Sequence, residues 1–239
     1  MKKVNLKESW DWLIILDAMR YDYFKKCWES DPYYRKLDYT LEPRLSYGSC
    51  TLEYLGKMPT LHDAICVTGH PFVLQFKYKF KRVVDVGFDN KLNTVPPEYI
   101  INYVLKKRYI LALYKRRVLW FLQPHYPFIH PNIDAPTLTI PIFEDVEKGA
   151  MPPQAKIEEM YREAKKKGIL EKAYEGNVIW ILRELKKLLP HLHGKIIVTS
   201  DHGDGLGKPL RPSDKPVYAH PCNREEWELL LVPWCVIYL

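Results

Sequence analysis

Residues 195 to 206 read Lys-Ile-Ile-Val-Thr-Ser-Asp-His-Gly-Asp-Gly-Leu, and this stretch decides the fold that the sequence predicts. Ile196 to Thr199 form a short apolar and β-branched run, which is typical of a buried strand, and two glycines soon end it. Asp201 and His202 therefore follow the carboxyl end of a strand, where open α/β sheets bind ligands. A carboxylate beside an imidazole suits a divalent metal. The alternative is an Asp-Gly turn beside a surface histidine, and the tetrapeptide alone favours neither.

Two other apolar runs also end in polar residues. Trp12 to Leu16 is a continuous apolar run typical of a central parallel strand, and Asp17 follows it directly. Arg117 to Gln123 is a similar run, and the segment after it contains His125 and His130. Asp17 could instead cap the helix predicted after it. A histidine near prolines is more often structural than functional, and this applies above all to His130.

A candidate nucleophile lies in the segment Leu45-Ser-Tyr-Gly-Ser-Cys-Thr-Leu-Glu-Tyr-Leu55. Small hydroxyl and thiol residues follow a glycine here and precede a possible helix, whose free amides could stabilise an oxyanion. Ser49 or Thr51 could equally be an ordinary helix cap, which is the commoner role.

The rest of the chain alternates strand and helix patterns. Ala64 to Thr68 predicts another short strand, and residues 72–86 alternate aromatic and basic side chains as an amphipathic edge strand would. Residues 131–155 are rich in proline and predict a long loop or lid. Residues 157–189 predict two amphipathic helices divided near a glycine, and the apolar segment 228–239 is expected to close the sheet.

The composition suits one compact domain, because 47% of the 239 residues are hydrophobic. A net charge of +7 favours an anionic partner, such as a phosphate or sulfate ester, a nucleic acid or a membrane surface. No run approaches the roughly 18 apolar residues that a membrane span needs. The basic N-terminus lacks the apolar segment of a signal peptide.

The five cysteines, at positions 27, 50, 66, 222 and 235, show no Cys-x-x-Cys spacing. The sequence therefore predicts neither a zinc cluster nor a disulfide framework, and we expect a reducing cytoplasm as the location. Few glutamines among many lysines and glutamates are a weak indication of a thermophile.

Taken in order, the motifs resemble those of the alkaline phosphatase superfamily, and within it the sulfatase-like branch common in archaea. The resemblance covers nearly the whole chain. It is carried by five features: Asp17, Gly-Ser-Cys-Thr at 48–51, Pro-His-Tyr-Pro-Phe at 124–128, Ser-Asp-His-Gly at 200–203, and His220-Pro with the later Val-Pro-Trp at 232–234.

The resemblance implies a role for each matching residue. Asp17, Asp201 and His202 would hold one divalent metal, which could be Zn, Mn, Mg or Ca. Thr51 matches the nucleophile and would be a further metal ligand, with Ser49 and Cys50 as alternatives. His125 would contact the transferred group or protonate the leaving group. The further candidates are His220 for a second metal or for substrate, and Arg20, Ser49 and His130 for substrate.

Two departures from the family pattern limit what the resemblance implies. Sulfatases carry Cys-x-Pro-x-Arg with a cysteine converted to formylglycine, whereas Cys50 is followed by Thr-Leu-Glu-Tyr, which argues against that chemistry. The Asp-x-x-x-His pair of two-metal members is missing around His125. A second metal could bind through His220 with His125 or His130, or His220 could contact substrate. The C-terminal subdomain of many sulfatases is also expected to be missing.

The sequence thus predicts one α/β domain over residues 1–239, with a mostly parallel central sheet flanked by helices. The favoured function is metal-dependent hydrolysis or transfer at a small anionic phosphate ester, or next at a sulfate ester, through a covalent Thr51 intermediate. Two alternatives are a degenerate member that only binds an anionic ligand or partner, and a nucleic-acid-binding protein that uses Phe72 to Arg82, which is less favoured. The sequence does not define the oligomeric state.

Overall fold

The computed structural model of the chain describes residues 1–139 and 154–239, and a seven-stranded sheet organises them. Two short strands pair in a separate antiparallel ribbon. In chain order the strands are β1 (Trp12–Leu16), β2 (Tyr39–Leu45), β3 (Leu61–Thr68), β4 (Phe80–Asp85), β5 (Arg116–Phe121), β6 (Lys195–Thr199), the ribbon strands β7 (Gly205–Leu206) and β8 (Tyr218–Ala219), and β9 (Leu231–Tyr238). Part of the predicted lid, residues 140–153, lies outside the described residues.

The sheet has the order β2-β9-β6-β1-β5-β3-β4. The five strands from β6 to β4 run parallel to their neighbours, and β9 lies antiparallel between β6 and β2. Leu16 pairs with Phe121, and Ile15 pairs with Thr199. The carboxyl ends of β1, β5 and β6 therefore meet at one edge. This mostly parallel sheet confirms the predicted fold class.

Eight helices connect these strands within the described ranges. They are α1 (Tyr21–Ser30), α2 (Thr51–Lys57), α3 (Pro71–Gln75), α4 (Pro97–Lys106), α5 (Arg108–Leu111), α6 (Gln154–Lys166), α7 (Leu170–Leu188) and α8 (Trp227–Leu230), with 3-10 turns at Tyr34–Lys36, Lys77–Lys79 and Leu189–His191. The predicted pair of helices near Gly168 is confirmed as α6 and α7.

Both faces of the sheet are buried, which explains why β1 is a continuous apolar run. Leu13 and Ile15 belong to a cluster that includes side chains of α2 and α3. Ile14 and Leu16 belong to a larger cluster that includes side chains of α1, α4, α6 and α7. Because successive strand residues face opposite sides, a strand covered on both sides needs apolar residues at every position.

One of the sequence interpretations was wrong about local structure, and another was right only in part. Asp17 does not cap α1, because the helix begins at Tyr21 and Arg20 occupies the capping position. The edge strand predicted within residues 72–86 is confirmed as β4, which lies at the edge of the sheet, but α3 and a 3-10 turn form the first part of that range. Pro71 at the start of α3 favours the helix there, because its fixed φ suits the first helical turn.

The prediction about cysteines was wrong for one pair. Cys50 and Cys222 form a disulfide across 172 residues of sequence. A pairing at such a distance leaves no spacing signal, because the fold alone brings the two residues together. The other three cysteines are buried free thiols. Within residues 1–139 and 154–239, no helix is both long enough and apolar enough to cross a membrane.

Candidate active site

Three side chains meet where β1 and β6 end. Asp17 follows β1 directly, and Asp201 and His202 follow β6 by two and three residues. All three are buried, and one ligand atom from each lies within 4.8 Å of the others. Nε2 of His202 is 3.3 Å from Oδ1 of Asp17 and 3.5 Å from Oδ2 of Asp201. The structure therefore brings together the three residues that the sequence predicts as ligands of one metal.

In both Asp17 and Asp201, one carboxylate oxygen has a hydrogen-bond partner and the other has none. Oδ1 of Asp201 accepts hydrogen bonds from the backbone N–H groups of Ala18 (3.2 Å) and His202 (2.9 Å). Oδ2 of Asp17 lies 3.0 Å from Nε2 of His70. Oδ1 of Asp17 and Oδ2 of Asp201 are buried with no hydrogen-bond partner. Two such oxygens are costly to bury alone, so a divalent cation fits this site.

The ring of His202 presents its second nitrogen to the same point. Nδ1 is 2.7 Å from the carbonyl oxygen of Gly203, so Nδ1 carries a proton and donates it. In the neutral ring, Nε2 is then the unprotonated nitrogen that faces both carboxylates. Burial opposes a charge on this ring, but the carboxylates of Asp201 and Asp17 outweigh it and raise the pKa of His202 to about 9.

The two acids have opposite pKa shifts. Burial raises the pKa of Asp201, and the charge of Asp17 adds to this effect against the opposing charge of His202. Burial opposes the charge of Asp17, but the attraction of His125 and the contacts of its carboxylate with His202 and His70 hold its pKa well below the usual range. Of the two acids, Asp17 therefore ionises more readily than Asp201.

Thr51 lies beside this cluster as the first residue of α2. Its Oγ1 is 3.1 Å from Nε2 of His202, and its side chain is buried. Cys50 is the residue that caps α2, through its sulfur and the N–H of Glu53. The alternative that Thr51 is merely the helix cap is therefore wrong. A hydroxyl next to three potential metal ligands can act as a nucleophile.

A second set of polar side chains, connected by hydrogen bonds, extends into the interior of the protein. Nε2 of His125 lies 3.1 Å from Nε2 of His220, and Nδ1 of His220 lies 3.0 Å from Oδ1 of Asp204. Tyr161 donates its hydroxyl proton to Oδ2 of Asp204 over 2.8 Å. Burial lowers the pKa of His125 to about 4 despite the attraction of Asp17. The two imidazoles therefore meet at their Nε2 atoms, with the His220 ring oriented by a buried acid.

A cavity of about 430 Å³ connects the two groups. Asp17, Thr51, His125 and His220 all line it, and the rings of His202 and His220 lie with their centroids 4.7 Å apart. The remaining wall is mostly apolar and includes Leu52, Phe72, Phe88, Leu122, Tyr126 and Ile157. The cavity can therefore hold a small anionic group next to Asp17, Thr51, His125 and His220.

Three residues predicted to contact substrate are not among those that line this cavity. Arg20 binds the carboxylate of Asp22 through two nitrogens at 2.9 Å and reaches the carbonyl oxygen of Asp204 at 3.3 Å. Oγ of Ser49 lies 3.0 Å from Oε2 of Glu53 and 3.0 Å from the carbonyl oxygen of Pro221. Both side chains already have structural partners in the described part of the chain.

His130, the third of these residues, also has a structural position. Its Nε2 lies 3.0 Å from the carbonyl oxygen of Pro136, and its backbone N–H donates to Oδ1 of Asn177 at 3.3 Å. A Cβ atom at Gly176 would lie 2.4 Å from the ring, so the glycine makes room for it. The structural interpretation of His130 fits these contacts.

The sequence interpretation missed His70 and Asp204. His70 follows β3 by two residues, so the same signal that marks Asp201 was present after the predicted strand Ala64–Thr68. Asp204 lies within the Ser-Asp-His-Gly-Asp stretch itself. The available signal was thus a polar residue at the carboxyl end of a strand. It was missed for His70 because Thr68-Gly69-His70 resembles a turn when only the sequence is known.

No family model and no curated protein sequence matches the chain. The C-terminal periplasmic domain of EptC from Escherichia coli, in complex with Zn, matches at 11% identity with a TM-score of 0.62, over 95% of this chain and 72% of its own. A protein in the alkaline phosphatase superfamily from Vibrio parahaemolyticus matches at 11% identity with a TM-score of 0.52, over 98% and 61%.

The fold is that of the alkaline phosphatase superfamily. A putative sulfatase from Bacteroides thetaiotaomicron also matches, at 13% identity and a TM-score of 0.55, over 98% of this chain and 65% of its own. The resemblance predicted from the sequence is therefore confirmed for the fold. In this alkaline phosphatase-like fold, Asp17, Asp201 and His202 meet at the carboxyl edge of the sheet, where the motifs were expected to converge.

Proposed function

We propose that the protein is a metal-dependent enzyme that hydrolyses or transfers a phosphate ester, or next a sulfate ester, through a covalent Thr51 intermediate. One observation carries the proposal. Oγ1 of Thr51 lies 3.1 Å from Nε2 of His202, and that nitrogen also faces the unpartnered oxygens of Asp17 and Asp201. A nucleophile, two carboxylates and an imidazole thus share one buried point.

Asp17, Asp201 and His202 would hold the cation, and Thr51 would join them. When bound, a divalent cation lowers the pKa of a hydroxyl and neutralises part of an ester's charge. Two oxygens and one nitrogen suit Zn or Mn, and Mg and Ca are also compatible with the carboxylates. The burial of all three residues excludes competing water from the carboxylate oxygens.

In the proposed reaction, the Thr51 hydroxyl gives up its proton to water and its Oγ1 attacks phosphorus while the bond to the leaving oxygen breaks. The leaving oxygen needs a proton, and His125 and His220 line the same cavity as Thr51. We assign His125 to contact the transferred group, and the imidazole pair that it forms with His220, whose ring Asp204 orients, to pass this proton to the leaving oxygen. A water or an acceptor hydroxyl then takes the group from Thr51, which regains its proton.

The second cation predicted from the resemblance remains an alternative use of the same histidines. The facing Nε2 atoms of His125 and His220, 3.1 Å apart, favour this pair over His130 for such a site. If no second cation binds, both rings are free to contact the ester oxygens. Both versions place a small anionic ester in the same cavity.

The cytoplasmic location remains a prediction, but the disulfide between two of the cysteines does not favour it. Disulfides such as Cys50–Cys222 form mostly in oxidising compartments, and intracellular proteins of hyperthermophiles are the main exception. A cytoplasmic protein with this bond would therefore fit the weak thermophile pattern of the composition. We keep one domain over residues 1–239 as part of the proposal.

The experiment is the hydrolysis of p-nitrophenyl phosphate, its bis-ester and its sulfate by metal-free protein, with and without Zn, Mn or Mg. We expect cation-dependent turnover that Thr51→Ala lowers at least about 1,000-fold. Mass spectrometry of quenched reactions should show the transferred group on the peptide that contains Thr51. Thr40→Ala, at an exposed threonine of β2, is the matched control and should keep full activity.

Two results would contradict the proposal. Full activity of Thr51→Ala would show that Thr51 is not the nucleophile. No turnover of any ester, together with no retained metal, would favour the degenerate protein that only binds an anionic ligand. Binding of single-stranded nucleic acid that weakens steeply with salt and ignores metal would favour the nucleic-acid alternative.

A further inference from the structure

His70 is held in a fixed place next to the proposed cation site. It follows β3 by two residues, and its side chain is buried. A Cβ atom at Gly69 would lie 2.3 Å from the carbonyl oxygen of Gly87, so only glycine allows this close approach of the chain. The His70 ring also packs edge-on against Trp120, with ring centroids 6.3 Å apart.

The two ring nitrogens of His70 have different partners, and these define the tautomer. Nδ1 accepts a hydrogen bond from the backbone N–H of Phe72 at 3.1 Å, so Nδ1 carries no proton. The ring proton therefore lies on Nε2, which donates to Oδ2 of Asp17 at 3.0 Å. The helix start thus fixes which nitrogen of His70 can donate to the acid.

We propose that His70 is a positioning residue for the cation site. Its Nε2–H holds Oδ2 of Asp17 and so directs the unpartnered Oδ1 at the point that Asp201 and His202 share. A carboxylate fixed through one oxygen cannot turn away from the cation or bind it through both oxygens. The inference rests on the proposed function, because it assumes that Asp17 is a metal ligand.

The competing role for His70 is purely structural. Its side chain caps α3 by accepting the N–H of Phe72. Asparagine carries its oxygen near the position of Nδ1, so His70→Asn keeps the cap and loses the donor to Asp17. Glutamine carries its amide nitrogen near the position of Nε2, so His70→Gln keeps the donor and loses the cap. The two substitutions therefore separate the two roles.

The experiment measures the affinity of each metal-free variant for Zn²⁺ alone, by competition with a coloured chelator. We expect His70→Gln to bind Zn²⁺ within about threefold of the native protein and His70→Asn to bind it about 10 to 100 times more weakly. His70→Leu, which has neither group, sets the lower limit. His62→Asn, at an exposed histidine of β3, should match the native protein.

Equal affinities of the Gln and Asn variants, or a higher affinity of the Asn variant, would overturn the inference. The thermal midpoint of each metal-free variant is the second readout, and the Asn variant should unfold closer to the native protein than the Leu variant does. If native protein binds no Zn²⁺, the proposed function fails together with the inference. If native protein binds Zn²⁺ and turns over esters while the Gln and Asn variants agree, only the inference fails.

Discussion

At the residue scale, the ring of His202 connects the fold to the proposed chemistry. One nitrogen is bound to the carbonyl oxygen of Gly203, and the other faces Asp17, Asp201 and Thr51. The acids raise its pKa to about 9 against the effect of burial. Without a cation, a proton on Nε2 thus fills the place that a cation would take.

This arrangement predicts a pH dependence of Zn²⁺ binding. Because the raised pKa keeps the ring protonated below about pH 9, a cation must displace one proton at pH 7. Apparent Zn²⁺ affinity should rise about tenfold for each pH unit between 7 and 9 and then level off. Titration calorimetry in buffers of different ionisation enthalpy would count the released proton.

The corresponding check is the variant His202→Gln, which should bind Zn²⁺ more weakly and release about one proton fewer than the native protein. An affinity that does not change between pH 7 and 9 would contradict the assignment of His202 as a ligand. Thr51 and the acids would then have to hold the cation without this ring.

The sequence predicted most of the site at the residue scale because chemistry-bearing residues follow apolar runs. Asp17, Asp201 and His202 were found in this way, and Thr51 and His220 were added by the family resemblance. The signal for His70 was a single residue after a glycine, and its meaning depends on a 3.0 Å contact with Asp17. Such contacts join residues that are far apart in the chain, so no local pattern reports them.

At the element scale, strands that are buried on both faces are the ones that the sequence predicts best. β1 was predicted with its observed limits, and β5 and β6 to within two residues at each end. β2 was missed, because Arg44 is its one buried residue and Pro43 interrupts it. The sequence of an edge strand that mixes polar and apolar residues is too similar to the sequence of a loop for the two to be told apart.

The start of α2 is also fixed by contacts that the sequence does not reveal. Glu53 accepts hydrogen bonds from the backbone of Ser49 at 2.9 Å and of Asn223 at 3.2 Å, and Lys57 binds the same carboxylate. Burial opposes the charge, but the hydrogen bonds from Lys57, Ser49 and Asn223 outweigh it and lower the pKa of Glu53 to about 2. The turn before Thr51 is thus tied to the segment after His220.

The turn after β6 gives a prediction about stability. A Cβ atom at Gly203 would lie 2.0 Å from the carbonyl oxygen of Glu228, and the N–H of Gly203 donates to Leu229 at 2.7 Å. Gly203→Ala should therefore lower the free energy of unfolding by about 1–3 kcal/mol, because backbone must move. Denaturant unfolding measures this.

Gly56→Ala is the matched control for this prediction. A Cβ atom there meets nothing within 4 Å, and Gly56 lies within helix α2. The substitution should leave stability unchanged or raise it by up to about 1 kcal/mol, because alanine favours a helix over glycine. If Gly203→Ala behaved like Gly56→Ala, the close approach of α8 to the site would not be required.

At the scale of the whole molecule, the two halves of the site come from distant parts of the chain that neighbouring strands of the sheet bring together. β1 and α2 supply Asp17 and Thr51, whereas the segment after β6 supplies Asp201, His202 and His220. The net charge of +7 gives the whole surface an attraction for anions such as the proposed esters. The disulfide Cys50–Cys222 joins the two halves next to Thr51 and His220.

The disulfide should contribute strongly to stability, because it closes a loop of 172 residues in the unfolded chain. The entropy of that loop gives at most about 5 kcal/mol, and measured values are typically about 2–4 kcal/mol. The double substitution Cys50→Ser with Cys222→Ser should lower the free energy of unfolding by this amount in denaturant titrations. A reductant should shift the native protein by a similar amount and leave the double variant unchanged. If the native protein unfolded at the same denaturant concentration with and without reductant, the disulfide would not stabilise the fold, and the hydrogen bonds of Glu53 and Ser49 would hold the two segments together.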